Sequence, residues 1–210
     1  DAAVALAEHT AGSVKDFVDR MNGEAQRLEM VNSHFANPTG FADAQQYSTA
    51  TDLARLAQRL QSDFPQYAEI FRTRELTHNR ITQANRNRLL WSDATVDGMK
   101  TGHFESSGWS IVATASRTRG ATNANFPRRL IAVVLGAPSE ALRAQDALRL
   151  LNYGYTEFET LRLHRRGEVL LRPEVWKGER PEVPIGPERD VPAPDLGFAA
   201  SARIERLAAF

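Results

Sequence analysis

The 210-residue chain contains no cysteine, and that absence removes disulfides, thiolate metal sites and a cysteine nucleophile. Lysine is nearly as scarce: Lys15, Lys100 and Lys177 are the whole set. Net charge is zero, so no bulk field draws nucleic acid or an anionic membrane, and no nucleic-acid partner is expected. No apolar run approaches the ~18 residues that a membrane span needs. His9, His34, His78 and His164 lack metal-ligand spacing and are expected to be structural, so no metal or other cofactor is anticipated. Apolar residues nevertheless make up 42% of the chain, the usual share for a packed globular domain.

The chain opens DAAVALA, apolar almost all round, as in a buried helix rather than a frayed terminus. The expectation is a chain that begins inside a fold, with sequence missing upstream of Asp1. Without it, the apolar faces of residues 2–7 and of a strand at 108–116 should lie uncovered. Ser13 is positioned to cap a helix carrying Val14, Phe17, Val18 and Met21 on one face, ending near Gly23. Residues 33–49, dense in Asn, Pro and Gly, read as ordered loop. Thr51 and Asp52 open a helix with Leu53, Leu56, Ala57 and Leu60 on one face.

Residues 65–71 read as a short helix, 73–82 as paired strands and 84–98 as a long polar connection. Two apolar strands follow at 108–116 and 129–136, joined by a polar hairpin loop at 118–127. Ser139 then caps a helix whose Ala141, Ala144, Leu148 and Leu151 share a face. This order predicts an α/β (α+β) fold, an antiparallel sheet flanked by helices. Past Tyr155 helical periodicity gives way to short β-prone runs between Pro173, Pro181, Pro184, Pro187, Pro192 and Pro194. Residues 1–155 and 156–210 are therefore expected as separate units, the second being part of a small all-β domain. Trp91, Trp109 and Trp176 are expected to anchor the core or a domain interface, and the basic run 162–166 to form a solvated face.

One stretch, VDGMKTGH at 96–103, resists a purely structural reading. Strand interiors disfavour both Lys and Gly, yet Lys100-Thr101-Gly102 precedes an alternating strand. The ammonium and hydroxyl offer charge-assisted hydrogen bonds to a carboxylate, and the glycine lets a substrate backbone lie close alongside. A peptide can then add to the sheet edge as an extra strand. With Asp97 and Gly98 read as a turn, Lys100–Gly102 is expected to head an antiparallel strand beside 129–136, at an open edge or cleft.

A lone KTG is weak. With HFANPTGF (34–41), YSTATDLARLA (47–57), NRNRLLW (85–91), VDGMKTGH (96–103) and IAVVLGA (131–137), the chain resembles the serine D-alanyl-D-alanine carboxypeptidases, low-molecular-mass penicillin-binding proteins marked by S-x-x-K, S-x-N and K-T-G. The resemblance implies a penicillin-binding/β-lactamase-like transpeptidase fold. It implies removal of the terminal D-Ala from peptidoglycan stem peptides ending in D-Ala-D-Ala, through an acyl-enzyme that β-lactam antibiotics also form. It further implies a periplasmic setting, with an inner-membrane anchor beyond this chain.

Neither S-x-x-K nor S-x-N occurs here: Gly12, Asp97 and Glu174 stand three residues before the lysines, and no serine has asparagine two positions later. By the resemblance, the nucleophile and its base lie upstream of Asp1, in a missing N-terminal segment or chain.

What the resemblance carries over is the carboxylate-binding half of a site. Lys100, Thr101 and Gly102 would bind substrate, and the backbone N–H of His103 would serve as oxyanion donor. Arg86 resembles a cleft arginine, against the alternative of a solvated loop residue. Arg143 would reinforce the positive field, against the alternative of a surface pair with Glu140. Two competing functions stay open: a β-lactamase-like hydrolase, and a non-catalytic carboxylate-binding fragment.

Overall fold

The structure, a computed structural model, describes residues 2–118, 128–158, 162–176, 181–188 and 191–192. Helix α1 (Ala2–Ala11) buries only Ala7, and Leu6 is 64% exposed. Its apolar face is thus open rather than packed. Helix α2 (Val14–Arg27) begins where expected, with Ser13 Oγ accepting the Asp16 N–H at 3.1 Å. It runs past Gly23, and the chain leaves it through Leu28 and the positive φ of Glu29.

Helix α3 (Ala50–Asp63) is capped two residues earlier than its periodicity suggests. Thr49 accepts the Asp52 N–H at 3.2 Å, so Thr51 lies inside the helix. The buried Asp52 carboxylate then accepts the Asn32 N–H at 2.9 Å and the Ser33 hydroxyl at 2.7 Å, drawing the preceding loop onto the helix. A 3₁₀ turn (Pro65–Tyr67) and helix α4 (Ala68–Arg72) lead to an exposed hairpin of β1 (Glu75–His78) and β2 (Ile81–Ala84). The stretch expected as polar connection is more than that. It holds helix α5 (Leu89–Ser92), whose Leu89 and Leu90 are buried in the main core.

The central sheet is antiparallel with order β3-β4-β5, comprising β3 (Val96–Phe104), β4 (Gly108–Arg117) and β5 (Arg128–Ala137). Of the expected loop at 118–127, only Thr118 lies among the described residues. β4 is the middle strand, and its Ile111, Ala113 and Ala115 are buried, contrary to the expectation that its apolar face would be uncovered.

Helix α6 (Glu140–Glu157) provides the cover, capped by Ser139, whose Oγ accepts the Leu142 N–H at 3.1 Å. Its buried face is Arg143, Ala147, Leu150, Leu151, Gly154 and Tyr155, whereas Ala141 points to solvent. The helix meets β5 closely at Gly154, where a Cβ would stand 2.7 Å from Leu130 Cδ1. The Tyr155 hydroxyl, 2.7 Å from Ala115 O and 3.0 Å from Arg128 O, ties the helix to both strands.

Beyond α6, β6 (Arg162–His164) pairs with β7 (Val191–Pro192), and bridges join Leu171 to Ile185 and Glu174 to Glu182. Two of the three tryptophans depart from the expected anchoring role: Trp91 and Trp176 are exposed, the latter at 86%. Trp109 alone packs against the core. Among the described residues, no helix is long and apolar enough to cross a membrane.

Candidate active site

β3 is an edge strand, and its burial changes along its length. Val96, Gly98 and Met99 are buried; from Lys100 onward the strand is open except for the half-buried Thr101. Asp97 and Gly98 are not a turn. They belong to the start of β3, at a bulge between Val96 and Gly98. Asp97 accepts the Thr114 hydroxyl at 2.6 Å and pairs with Arg129 at 2.7 Å. Lys100–Gly102 accordingly lies in the second half of its own strand, with Lys100 opposite Val112 and Thr101 opposite Ile111 of β4. The expected placement beside 129–136 fails because β4, folding back through the turn at 105–107, takes the middle position.

No strand among the described residues pairs with the outer edge of β3, leaving backbone donors and acceptors there for an added strand. A Cβ built at Gly102 would meet nothing within 4 Å. The Lys100 ammonium folds along the strand and donates to the Thr101 carbonyl. Although Lys100 lies on the exposed edge, burial of its ammonium among neighbouring atoms lowers its pKa below the ordinary lysine value, and the charges of Arg86 and Arg143 lower it further. Three cations therefore act on one neighbourhood.

The loop before α5 presents Arg86, and two asparagines hold that loop. Asn85 donates through its backbone N–H to Arg74 O at 2.6 Å and through Nδ2 to Thr73 O at 3.0 Å. The buried Asn87 donates through Nδ2 to Gly98 O at 3.0 Å and accepts the Leu89 N–H at 3.2 Å. Asn87 thus ties the Arg86 loop to β3 two residues before Lys100, while the Arg86 side chain stays exposed.

Arg143 comes from the opposite side. It is 1% exposed and donates through Nη2 to Arg86 O at 3.0 Å and to Glu140 Oε1 at 3.3 Å. The contact with Glu140 exists, but burial decides that Arg143 is no surface residue. Its Nε has no hydrogen-bond partner, and its guanidinium carbon lies 5.4 Å from the centre of the Trp109 ring. Burial lowers its pKa, with Glu140 opposing, yet an arginine remains charged. His103 stacks on the same Trp109 ring, with centroids 3.9 Å apart.

The structure thus gathers Lys100, Thr101, Gly102 and His103 on one strand, with Arg86 and Arg143 linked to each other beside it. Asn87 and Trp109 join them without having been singled out from the sequence for this site. The signal for Asn87 was an asparagine two residues before a buried Leu-Leu pair, a turn-forming residue at a helix start. Such a cluster can hold a carboxylate and donate hydrogen bonds to it. It includes no nucleophile paired with a base, and no group of metal-ligating side chains occurs among the described residues.

Comparison with known proteins places this arrangement. The family described as D-alanyl-D-alanine carboxypeptidase matches residues 1–139. D-alanyl-D-alanine carboxypeptidase DacA of Haemophilus influenzae is 39% identical over 187 residues, covering 89% of this chain and 46% of that protein. The crystal structure of penicillin binding protein 5 from the same organism matches with a TM-score of 0.75 and 36% identity, covering 90% of this chain and 54% of that one. Penicillin-Binding Protein D2 from Listeria monocytogenes in its cefotaxime-bound form matches with a TM-score of 0.63 and 29% identity, covering 74% of this chain and 61% of that one. The chain spans about half the length of the relatives it matches.

Proposed function

The chain belongs to the D-alanyl-D-alanine carboxypeptidase family, and we propose that its protein is a serine-type enzyme removing the terminal D-Ala of peptidoglycan stem peptides. The sequence has no S-x-x-K, so the acylated serine and its lysine base are assigned to sequence upstream of Asp1. This segment supplies recognition and half of the oxyanion site. The supporting observation is the open second half of β3, where Lys100, Thr101 and Gly102 lie on an unpaired edge beside Arg86 and Arg143.

A stem peptide would add along that edge as a further strand. Its terminal carboxylate would take hydrogen bonds from the Lys100 ammonium and the Thr101 hydroxyl, in the field of the two arginines. The missing side chain at Gly102 leaves room for the peptide backbone. The His103 N–H would then stand at the scissile carbonyl and stabilise the oxyanion of the tetrahedral intermediate, together with the serine's own N–H. Loss of D-Ala leaves an acyl-serine that water hydrolyses. A β-lactam, whose carboxylate mimics the peptide terminus, would occupy the same edge. The same reading sets the enzyme in the periplasm, held at the inner membrane by an anchor beyond Phe210. It takes residues 1–155 as part of the peptidase domain and 156–210 as the start of the β-rich one.

The complete protein tests this by intact mass after incubation with penicillin and by D-Ala release from a peptide ending in D-Ala-D-Ala. A stable adduct on serine with D-Ala release is expected. Prompt penicillin turnover would instead indicate a β-lactamase, and no adduct with no release would leave a carboxylate-binding protein.

A further inference from the structure

We infer that Trp109 is a positioning residue of this site, its indole clamping the His103 end of the edge strand against the buried Arg143. The inference rests on the carboxypeptidase reading above. Trp109 sits directly opposite His103 in the β3–β4 register, and the two rings stack with centroids 3.9 Å apart and 28° between planes. The Arg143 guanidinium carbon is 5.4 Å from the centre of the same ring, within the reach of a cation–π contact. One side chain therefore touches both the residue whose N–H would meet the oxyanion and the residue that pins the Arg86 loop.

The backbone around Trp109 departs from a regular ladder in two ways. Gly108 has φ +71°, and an added Cβ there would stand 2.8 Å from Ala137 O. Between Trp109 and Ile111 the pairing with β5 shifts register, from Ala137 to Val134. The extra residue lies in β5, where Gly136 has φ +72°, so it is β5 that bends beside Trp109. Trp109 packs against the core with one side only, being half-buried, and its exposed part carries the contacts to His103 and Arg143. Arg143 also gains from the arrangement: with Nε unpartnered, the ring face offers compensation for its buried charge.

The role is mechanical. The His103 N–H is carried by an edge strand that is steadied here by the imidazole's stack on Trp109, so losing that ring lets the donor shift. Displacing a transition-state donor by about 1 Å can cost around a hundredfold. Loosening Arg143 instead frees the Arg86 carbonyl and weakens substrate binding.

The experiment uses the complete protein with Trp109→Leu, Trp109→Phe and a Trp109→Leu/Arg143→Met double variant. It records kcat and KM for D-Ala release, the penicillin acylation rate and a thermal melt. Trp109→Leu keeps an apolar but smaller side chain and loses the ring face; kcat/KM should fall about ten- to a hundredfold, in kcat through His103 and in KM through Arg143, with the melt shifted by a few degrees. Trp109→Phe should restore activity to within about threefold. In the double variant the losses should not add, because both changes break one unit. Trp109→Leu with wild-type kcat and KM, equal impairment of Leu and Phe, or additive losses would each overturn the inference while leaving the carboxypeptidase reading intact. A wild-type protein that neither releases D-Ala nor is acylated removes both.

Discussion

Arg143→Met should separate stability from function. The substitution keeps an unbranched apolar stem and deletes the guanidinium. The bond to Arg86 O at 3.0 Å is charge-assisted and contributes about 1.5–3 kcal/mol. The pair with Glu140 at 3.3 Å has one half-exposed partner and contributes under ~1 kcal/mol. The contact with Trp109 adds about 0.5–2 kcal/mol. Against these stands the cost of holding a guanidinium at 1% exposure with Nε unpaired, several kcal/mol by the usual penalty for a buried ion. The opposing sums are similar, so net stability should change by less than about 2 kcal/mol, a few degrees in Tm. Activity has no such offset. The Arg86 loop loses its tether and the carboxylate loses a positive neighbour, so kcat/KM should fall about ten- to a hundredfold, chiefly through KM. Thermal melts and D-Ala release from the complete protein decide. A variant that melts more than ten degrees lower yet keeps wild-type kcat/KM would make Arg143 a structural residue and refute this account.

Thr101→Val keeps the shape of the side chain and removes one donor. It should lower kcat/KM by roughly ten- to a thousandfold, and wild-type activity would take Thr101 out of recognition. Lys100 carries a pKa depressed by burial and by two arginines, so its ammonium should be lost at lower pH than an ordinary lysine's. Between the folded and unfolded values the unfolded chain binds the proton that the native state has released. Stability should therefore rise with pH in that window, while the destabilisation is fully present below it. Substrate binding should fall over the same window, and a kcat/KM–pH profile whose alkaline limb stays put in Lys100→Arg would sever the link. Gly108→Ala forces a positive φ on alanine and brings its Cβ to 2.8 Å from Ala137 O. It should cost at least about 1–3 kcal/mol, read as a lower denaturation midpoint.

Lys100-Thr101-Gly102 stands out in the sequence because the tripeptide contradicts strand propensity and sits among other family-like segments. Its exact place does not. VDGMKTGHF has little apolar alternation, so nothing marks it as a nine-residue strand of its own. The apolar runs at 108–117 and 128–137 look like the whole sheet, and the edge strand, needing only one buried end, goes unseen. The covering helix shows the same limit differently. Its apolar residues allow more than one face, and the choice between Ala141 and Arg143 is made by the close approach at Gly154. Periodicity alone assigns the charged residue outward.

Asn87 and Arg143 share a feature that explains why the site's assembly could not be read from side-chain pattern. Each is a buried polar residue whose principal acceptor is a backbone carbonyl, Gly98 O for Asn87 and Arg86 O for Arg143. A carbonyl has no signature in the sequence, since every residue has one. Hydropathy therefore counts both side chains as surface, although their burial is compensated by groups the pattern does not record. The consequence is functional as well as interpretive. The two bonds lie on either side of the Arg86 loop, one to β3 and one to α6, so the loop's position is set by the same strand that carries Lys100 and the same helix that covers the sheet. Its tethers are short and polar, set beside the apolar core that holds α5 and α6. The arrangement couples the Arg86 loop to the Lys100 strand through side-chain bonds to backbone carbonyls, which is why a change at Asn87 or Arg143 should register in substrate affinity before it registers in folding.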